Sequence, residues 1–284
     1  MSEAVHHFTL ALELDPRSPE TVFNLALALM GSERPTQALA VLEKHPAESA
    51  DYHALKGAVY NALGRPPDAA QSLRGAVRLD PKNPDTLYDL AVTLMKIGAG
   101  AEAADRLQRA RVRFPQVAKI HAAAGMAAYL AGNNEQAMGA YETAVKLEPD
   151  AADLQAALGD VYHAVGELAK ADAAYSRALR IDASVAAYFV KRGRNLAKLQ
   201  QPREAELAFQ NAVARQPGNA DAHFELGKLA AGRSSHDAAL AHFERAVSAD
   251  PALKAAWYQL SLAYRRAGRQ DESASAMKKF QTLQ

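Results

Sequence analysis

The sequence of 284 residues contains no cysteine. Disulfide bonds, thiolate nucleophiles and cysteine-ligated zinc are therefore excluded. Net charge is also nearly absent, because 33 basic and 32 acidic side chains leave only +1 at pH 7. Binding to nucleic acid or to an anionic membrane needs a net basic field, so this balance argues against both kinds of ligand.

Long apolar runs are missing as well. No run exceeds six residues, as from Leu25 to Met30, whereas a membrane-spanning helix needs about 20. The first residues, MSEAVHHFTL, lack the basic head and apolar stretch of a signal peptide. The compartment stays open, and we expect a cytoplasmic protein if the sequence is complete. Aromatic residues make up only 7% and alanine is abundant, which favours closely packed helices over strands.

Prolines recur along the chain at one fixed spacing or at its double. The steps are 34, 34, 68 and 34 residues, between Pro81, Pro115, Pro149, Pro217 and Pro251. Alanine replaces proline at Ala183, the midpoint of the double step. A period of about 20–50 residues is typical of repeat proteins, in which each repeat is one packing unit.

Two columns of this repeat keep the same side-chain size. When the prolines define repeat position 32, position 8 is always small: Gly57, Ala91, Gly125, Gly159, Gly193, Gly227 and Ser261. Position 24 is always large: Leu73, Leu107, Tyr141, Tyr175, Phe209, Phe243 and Met277. Small side chains let two helices approach closely, and large ones fill the remaining space. The two columns therefore predict a recurring helix–helix contact.

The spacing within a repeat predicts two antiparallel helices. Positions 4, 7, 8 and 11 share one helical face, and positions 20, 24 and 27 share another. The turn between them usually holds glycine, which tolerates the left-handed conformation that ends a helix: Gly64, Gly98, Gly132, Gly166 and Gly268. Gln200 and Ser234 replace that glycine, so we expect their turns to differ in shape.

This pattern resembles the tetratricopeptide repeat family over essentially the whole chain. The resemblance implies an all-α fold, a right-handed superhelical solenoid of antiparallel helix pairs. We predict one array over residues 1–284, with a leading second helix in 1–18 and a short repeat in 19–49. Regular repeats follow in 50–83, 84–117, 118–151, 152–185, 186–219 and 220–253, and a capping repeat in 254–284.

The two ends of the array differ. The leading helix has no first helix to cover it, and two explanations stay open. The one we favour is that the chain has been cut from a longer protein. The other is that the helix packs on a second copy through Val5, Phe8 and Leu12, giving a homodimer. At the other end, Phe280 stands where the regular repeats have alanine, and the last helix is polar, as a terminal repeat requires.

No catalytic or metal-binding constellation stands out. Asp160 and His163, three residues apart on one helix, come closest to metal-ligand spacing, but two ligands are too few. No Walker lysine motif, nucleophile elbow or complete dinucleotide fingerprint is present. Lys56 and Arg192 occupy the usually apolar position 7, and we expect their stems to pack while their charges reach solvent. We therefore expect no enzyme activity, no cofactor and no metal.

In the family that the sequence resembles, the first helix of each pair lines a concave groove through positions 2, 5, 9, 12 and 13. This implies an apolar, methionine-rich N-terminal half: Phe23, Leu27, Met30, Tyr88, Val92, Met95, Met126 and Tyr129. It implies a C-terminal half of cations and aromatic rings: Arg194, Lys198, Phe224, Lys228, Tyr258, Arg265 and Arg266. Methionine suits adaptable contacts, and local basic patches suit an acidic partner.

We therefore predict a non-enzymatic scaffold or adaptor. It would bind an extended or helical segment of another protein, with acidic and apolar residues, in this groove. We expect no nucleic-acid ligand and no membrane insertion. The alternative is that the array is a targeting or assembly arm of a larger enzyme, or of a secretion or biogenesis machine.

Overall fold

The computed structural model describes residues 2–283, with side chains from Glu3 onward. Within these residues it contains 17 α-helices and no strand. The helices are α1 (Ser2–Leu14), α2 (Pro19–Met30), α3 (Pro35–Lys44), α4 (Ala50–Ala62), α5 (Pro66–Leu79), α6 (Pro84–Lys96), α7 (Gly100–Arg113), α8 (Ala118–Leu130), α9 (Asn134–Leu147), α10 (Ala152–Ala164), α11 (Leu168–Ile181), α12 (Ala186–Lys198), α13 (Pro202–Arg215), α14 (Ala220–Gly232), α15 (His236–Ala249), α16 (Lys254–Arg266) and α17 (Gln270–Thr282). The all-α prediction is confirmed.

Even-numbered helices are the first helices of the pairs, and odd-numbered helices are the second. Most second helices have 13 or 14 residues, but α3 has only 10. Local sequence sets several starts: the side chains of Ser18, Ser49 and Asn83 accept hydrogen bonds from backbone N–H groups at the starts of α2, α4 and α6. Proline opens α2, α3, α5, α6 and α13, where its missing N–H is not needed.

The turns within the helix pairs share one left-handed residue. Gly64, Gly98, Gly132, Gly166 and Gly268 have φ between 68° and 84°. Gln200 and Ser234 have φ of 61° and 59°, so the prediction that their turns differ in shape is wrong. The reason is that the following backbone N–H still bonds to the helix end, as from Gln201 to the Leu196 carbonyl at 3.0 Å. Gln200 and Ser234 therefore adopt the left-handed backbone conformation, which is strained for residues with a side chain. The shape of the turn is kept.

The small and large columns meet as the sequence predicts. A Cβ atom added to Gly159 would lie 2.6 Å from Cε1 of Tyr175, and one added to Gly193 would lie 2.5 Å from Cε1 of Phe209. Gly57, Gly125 and Gly227 show the same close approach to the large residue 16 positions later. In these five repeats, the ring or leucine at position 24 therefore occupies the space that a side chain at position 8 would need.

The helices cluster into two compact units, Met1–Leu147 and Glu148–Gln284. We call these unit 1 and unit 2. In each unit the core is a series of local clusters shared by adjacent helices, as in the cluster of α1–α5 around Leu25, Leu29 and Leu42. Val5, Phe8 and Leu12 of α1 pack partly buried against that cluster. The homodimer through these residues stays a prediction.

A recurring hydrogen bond ties a first helix to the end of the preceding second helix. Nε2 of His121 donates to the Pro115 carbonyl at 3.0 Å in unit 1. In unit 2, Gln155 donates to Pro149 at 3.1 Å, and Nε1 of Trp257 donates to Pro251 at 2.9 Å. Because proline carbonyls at these bends lack a helical partner, the side chain at position 4 satisfies them.

Position 3 is a buried column that the sequence reasoning missed. Six of its seven residues are buried, namely Tyr52, Thr86, Ile120, Tyr188, Ala222 and Ala256, and Leu154 is half-buried. Their chemistry and size vary, so the column does not stand out as position 8 does. The Tyr52 hydroxyl donates to the Leu42 carbonyl at 2.6 Å, which shows how a tyrosine is accommodated there.

Candidate interaction surfaces

Unit 1 presents a row of apolar side chains on its first helices. We call the eight residues the apolar row: Phe23, Leu27, Met30, Tyr88, Val92, Met95, Met126 and Tyr129. On each of α2, α6 and α8 they are spaced three to four residues apart and so share one face. Phe23 and Met30 pack partly buried against one core cluster, and Tyr88 and Met95 against another.

The outer members of this row remain open to solvent. Leu27 is 44% exposed and Tyr129 is 39% exposed, whereas Val92 and Met126 are half-buried. The row therefore combines side chains that are packed against the core with side chains that are accessible to a partner. This is the arrangement expected where an apolar side chain of a partner can add to a preformed surface.

In unit 2 the predicted basic residues are largely engaged within the protein. Nε of Arg194 donates to Glu225 at 2.9 Å, and its Nη2 donates to Asp221 at 2.5 Å. Nζ of Lys228 donates to the other oxygen of Glu225 at 2.7 Å. Burial disfavours the charge on Arg194, but these carboxylates outweigh it and raise the pKa of the guanidinium. Arg194 and Lys228 therefore belong to an ion-pair cluster linking α12 and α14.

The remaining predicted residues of unit 2 are less constrained. Lys198, Arg265 and Arg266 are exposed and form no ion pair with the described residues. The rings of Tyr258 and Phe280 lie 5.3 Å apart, and Nζ of Lys254 lies 5.2 Å from the centre of the Phe280 ring. Phe280 therefore fits at position 27 by packing against α16.

Phe224 is half-buried and lies beside two other groups of unit 2. Its ring centre is 6.1 Å from that of Phe243 and 5.3 Å from Nζ of Lys228. Of the two predicted aromatic residues of the C-terminal half, only Tyr258 is exposed, at 40%.

The polar residues singled out in the sequence have partners inside the protein. Asp160 accepts hydrogen bonds from the Tyr175 hydroxyl at 2.9 Å and from Lys191 at 2.5 Å. Nδ1 of His163 lies 3.0 Å from the side-chain oxygen of Asn195. Arg192 forms an ion pair with Asp172 at 2.8 Å instead of only reaching solvent. Nζ of Lys56 lies 5.8 Å from the centre of the Tyr60 ring.

Two histidines of unit 2 contact each other. Nε2 of His223 donates to the Pro217 carbonyl at 2.9 Å, and its Nδ1 lies 3.2 Å from Nδ1 of His242. Burial lowers the pKa of His242, and the nearby His223 and Arg245 lower it further. Glu206 acts in the opposite direction and raises this pKa, but by less. This pair is an internal contact of α14 and α15. Across residues 2–283, no three His, Cys, Asp or Glu side chains are grouped as metal ligands.

Tetratricopeptide repeat models match residues 1–59, 60–127, 152–185, 190–254 and 235–283, and a TPR repeat model matches residues 125–166. The chain belongs to the tetratricopeptide repeat family. No match was found among curated proteins. Membership of this family supports a protein-interaction scaffold. None of the described helices has the length and hydropathy to cross a membrane.

Three solved structures illustrate the similarity. The crystal structure of MamA protein is 25% identical, with a TM-score of 0.50 over 57% of this chain and 89% of that chain. A chain of the APC/C hetero-tetramer Cut9-Hcn1 is 18% identical, with a TM-score of 0.69 over 92% of this chain and 52% of that chain. PilF of Pseudomonas aeruginosa is 20% identical, with a TM-score of 0.60 over 72% of this chain and 94% of that chain. At these identities, the last two show the fold alone.

Proposed function

We propose that this protein is a non-catalytic scaffold that binds a segment of another protein on its first-helix face. The observation that carries the proposal is the apolar row of unit 1. Its stems are anchored in the core while Leu27 and Tyr129 remain exposed. Removing apolar surface from water contributes roughly 25 cal/mol per Å2, so each partner side chain that packs on the row would add to binding.

The bound segment would present apolar side chains to unit 1. The three methionines of the row are unbranched and polarizable, so they adjust to side chains of different shape. A segment in extended or helical conformation meets this requirement equally, since both place side chains at regular intervals.

The acidic residues of the partner would meet unit 2. Arg194 and Lys228 already neutralise Asp221 and Glu225. The cations we assign to the partner are therefore Lys198 and Arg265, which have no ion pair in residues 2–283. Their contribution would act mainly on association rate and specificity.

The test compares proteins captured by the wild type and by two groove variants, with quantitative mass spectrometry. Leu27→Glu with Tyr129→Glu should lose the partner of unit 1. The matched control is Leu130→Glu, since Leu130 is 68% exposed and is the next residue of α8, outside the row. This control should retain every captured protein.

A second comparison addresses unit 2. Lys198→Glu should weaken capture, whereas Arg203→Glu makes the same charge change on the second helix α13 and should not. Unchanged circular dichroism would show that each variant is folded. Equal capture by wild type, Leu27→Glu with Tyr129→Glu, and Lys198→Glu would contradict the proposed function.

A further inference from the structure

A separate groove lies on the other side of the first helices of unit 1. Its walls are α1 and α3, and its floor is Leu25 and Leu29 of α2. The volume is about 500 Å3. Successive helical residues turn by about 100°, so Leu25 lies on the side of α2 opposite to Phe23. The groove is therefore distinct from the apolar row.

α3, which forms one wall of the groove, is a short helix. α3 has 10 residues where α5 has 14, and it ends at Lys44. A second cavity of about 290 Å3 continues past that end and shares Pro16, Lys44 and His45 with the first. Together they form one channel that runs along α3 and beyond it. The ten residues of α3 measure about 15 Å, the length of nearly three helical turns.

The channel combines an apolar interior with cations at its edge. Val5 and Leu12 of α1 face Val41 of α3 across the leucine floor. Arg34 and Lys44 lie at opposite ends of α3, and Arg17 lies beside the continuation. These three cations form no ion pair with the described residues, and Glu13 is the one acidic side chain of the lining.

Two other cavities differ in this respect. One of about 510 Å3 on α4 and α5 is polar, and its Arg74 is bound to Glu102 at 2.7 Å. One of about 430 Å3 on α15–α17 has an apolar floor, but its Glu244 and Glu272 are both paired with Arg269. The α15–α17 cavity has one cation without an ion pair in residues 2–283, Lys279, whereas the α1–α3 groove joins its apolar floor to two, Arg34 and Lys44.

We propose that the α1–α3 groove docks an amphipathic, acidic helix of a partner protein. Leucine-sized side chains would enter between α1 and α3 onto Leu25 and Leu29, and carboxylates would meet Arg34 and Lys44. A groove between two helices suits a third helix, because helices pack with their axes about 8–10 Å apart. Unpaired cations at the edge select acidic over basic helices by charge complementarity.

The test uses two fluorescein-labelled 18-residue helical peptides and the full chain. One peptide carries leucine at positions three and four apart with flanking glutamates, and the other has lysine in place of every glutamate. Fluorescence anisotropy should show saturable binding of the glutamate peptide alone. Arg34→Glu with Lys44→Glu should weaken this binding at least about tenfold. Arg78→Glu, the same charge change on α5, should leave it unchanged.

A second set of variants locates the peptide and guards against misfolding. Ala40 is exposed on the groove wall, so Ala40→Trp should fill the groove without unfolding α3. Because the chain has no cysteine, Gln37→Cys should form a disulfide with a single-cysteine peptide, while Gln71→Cys on α5 should not. Arg34→Gln with Lys44→Gln replaces the charge reversal if circular dichroism shows that the latter disturbs the fold.

Several results would overturn the proposal. One is equal affinity for the wild type, Ala40→Trp and the charge variants. Another is equal binding of the acidic and basic peptides, which would indicate apolar adhesion alone. Loss of binding only in Leu27→Glu would place the peptide on the apolar row and support the proposed function instead. Self-association abolished by Ala40→Trp would assign the groove to a second copy.

Discussion

At the scale of single residues, the most constrained position is the glycine at repeat position 8. A methyl group at Gly159 would lie 2.6 Å from the Tyr175 ring, which is itself 2% exposed and has no space to retreat. We expect Gly159→Ala to lower the free energy of unfolding by about 1–3 kcal/mol through overpacking. Urea denaturation followed by circular dichroism measures this.

Gly139 is the matched control for that substitution. It lies within α9, and an added Cβ meets nothing within 4 Å. Gly139→Ala should therefore be neutral or stabilise by about 0.5–1 kcal/mol, since alanine loses less entropy in a helix. Equal midpoints for the two variants would show that the contact with Tyr175 does not determine the residue at position 8.

Gln200 provides the opposite case, where a side chain occupies a conformation suited to glycine. Its φ is 61°, and left-handed backbone costs a non-glycine residue about 1–2 kcal/mol. We expect Gln200→Gly to stabilise the protein by up to about 1 kcal/mol in urea denaturation. Gln201→Gly, at φ −111°, should not stabilise it. A destabilised Gln200→Gly variant would contradict this account.

Residue size at positions 8 and 24 was predictable because the same helix–helix contact recurs in each repeat, with a small residue facing a large one. The turn at Gln200 was not predictable. The sequence shows that glycine is absent there, but not that the backbone keeps the left-handed conformation with glutamine in its place. Within the ion-pair cluster, Arg194 is separated along the chain from Asp221 by 27 residues and from Glu225 by 31. Only the stacking of consecutive first helices brings them together, so the sequence did not reveal that Arg194 and Lys228 are paired with acidic side chains.

At the scale of helices, ion pairs connect neighbouring second helices. Glu102 of α7 accepts from Arg74 of α5 at 2.7 Å and from Arg106 at 3.0 Å. The hydrogen bond from Arg74, joined by that from Arg106, lowers the pKa of Glu102 to about 2, against 4.5 for the unperturbed group. The folded state therefore binds fewer protons here than the unfolded state between these two pH values.

The linked prediction concerns acid stability. Because the folded pKa is depressed, the contribution of Glu102 is complete above about pH 5 and is lost as the pH falls towards 2. Glu102→Gln should be less stable than the wild type at pH 7, and this difference should shrink at pH 3. Urea denaturation at both pH values measures it. Glu135→Gln, which removes an exposed acid without an ion pair in residues 2–283, is the charge-matched control.

The candidate surfaces also depend on this scale. The apolar row was predictable because the family resemblance assigns positions 5, 9 and 12 to one helical face. The α1–α3 groove was not, although the short repeat was visible in the spacing. The sequence shows that this repeat lacks a helical turn. It does not show the cavity, which depends on how α1 and α3 flank Leu25 and Leu29.

At the scale of the whole molecule, stability is expected to be distributed over local clusters. Repeats contact mainly their neighbours, so a substitution acts first on the helices around it. Trp257, the only tryptophan, packs against the cluster of Phe243 and Leu260 in unit 2. Its fluorescence therefore reports on α14–α17, whereas circular dichroism reports on all helices.

This difference makes cooperativity measurable with two equivalent substitutions. An added Cβ lies 2.7 Å from Tyr141 at Gly125 in unit 1, and 2.6 Å from Phe243 at Gly227 in unit 2. We expect Gly227→Leu to shift the Trp257 unfolding curve to lower urea. Gly125→Leu should leave that curve nearly unchanged while circular dichroism shows an early transition. Equal shifts of the Trp257 curve would mean that the chain unfolds as one cooperative unit, because local damage would then reach the distant helices in full.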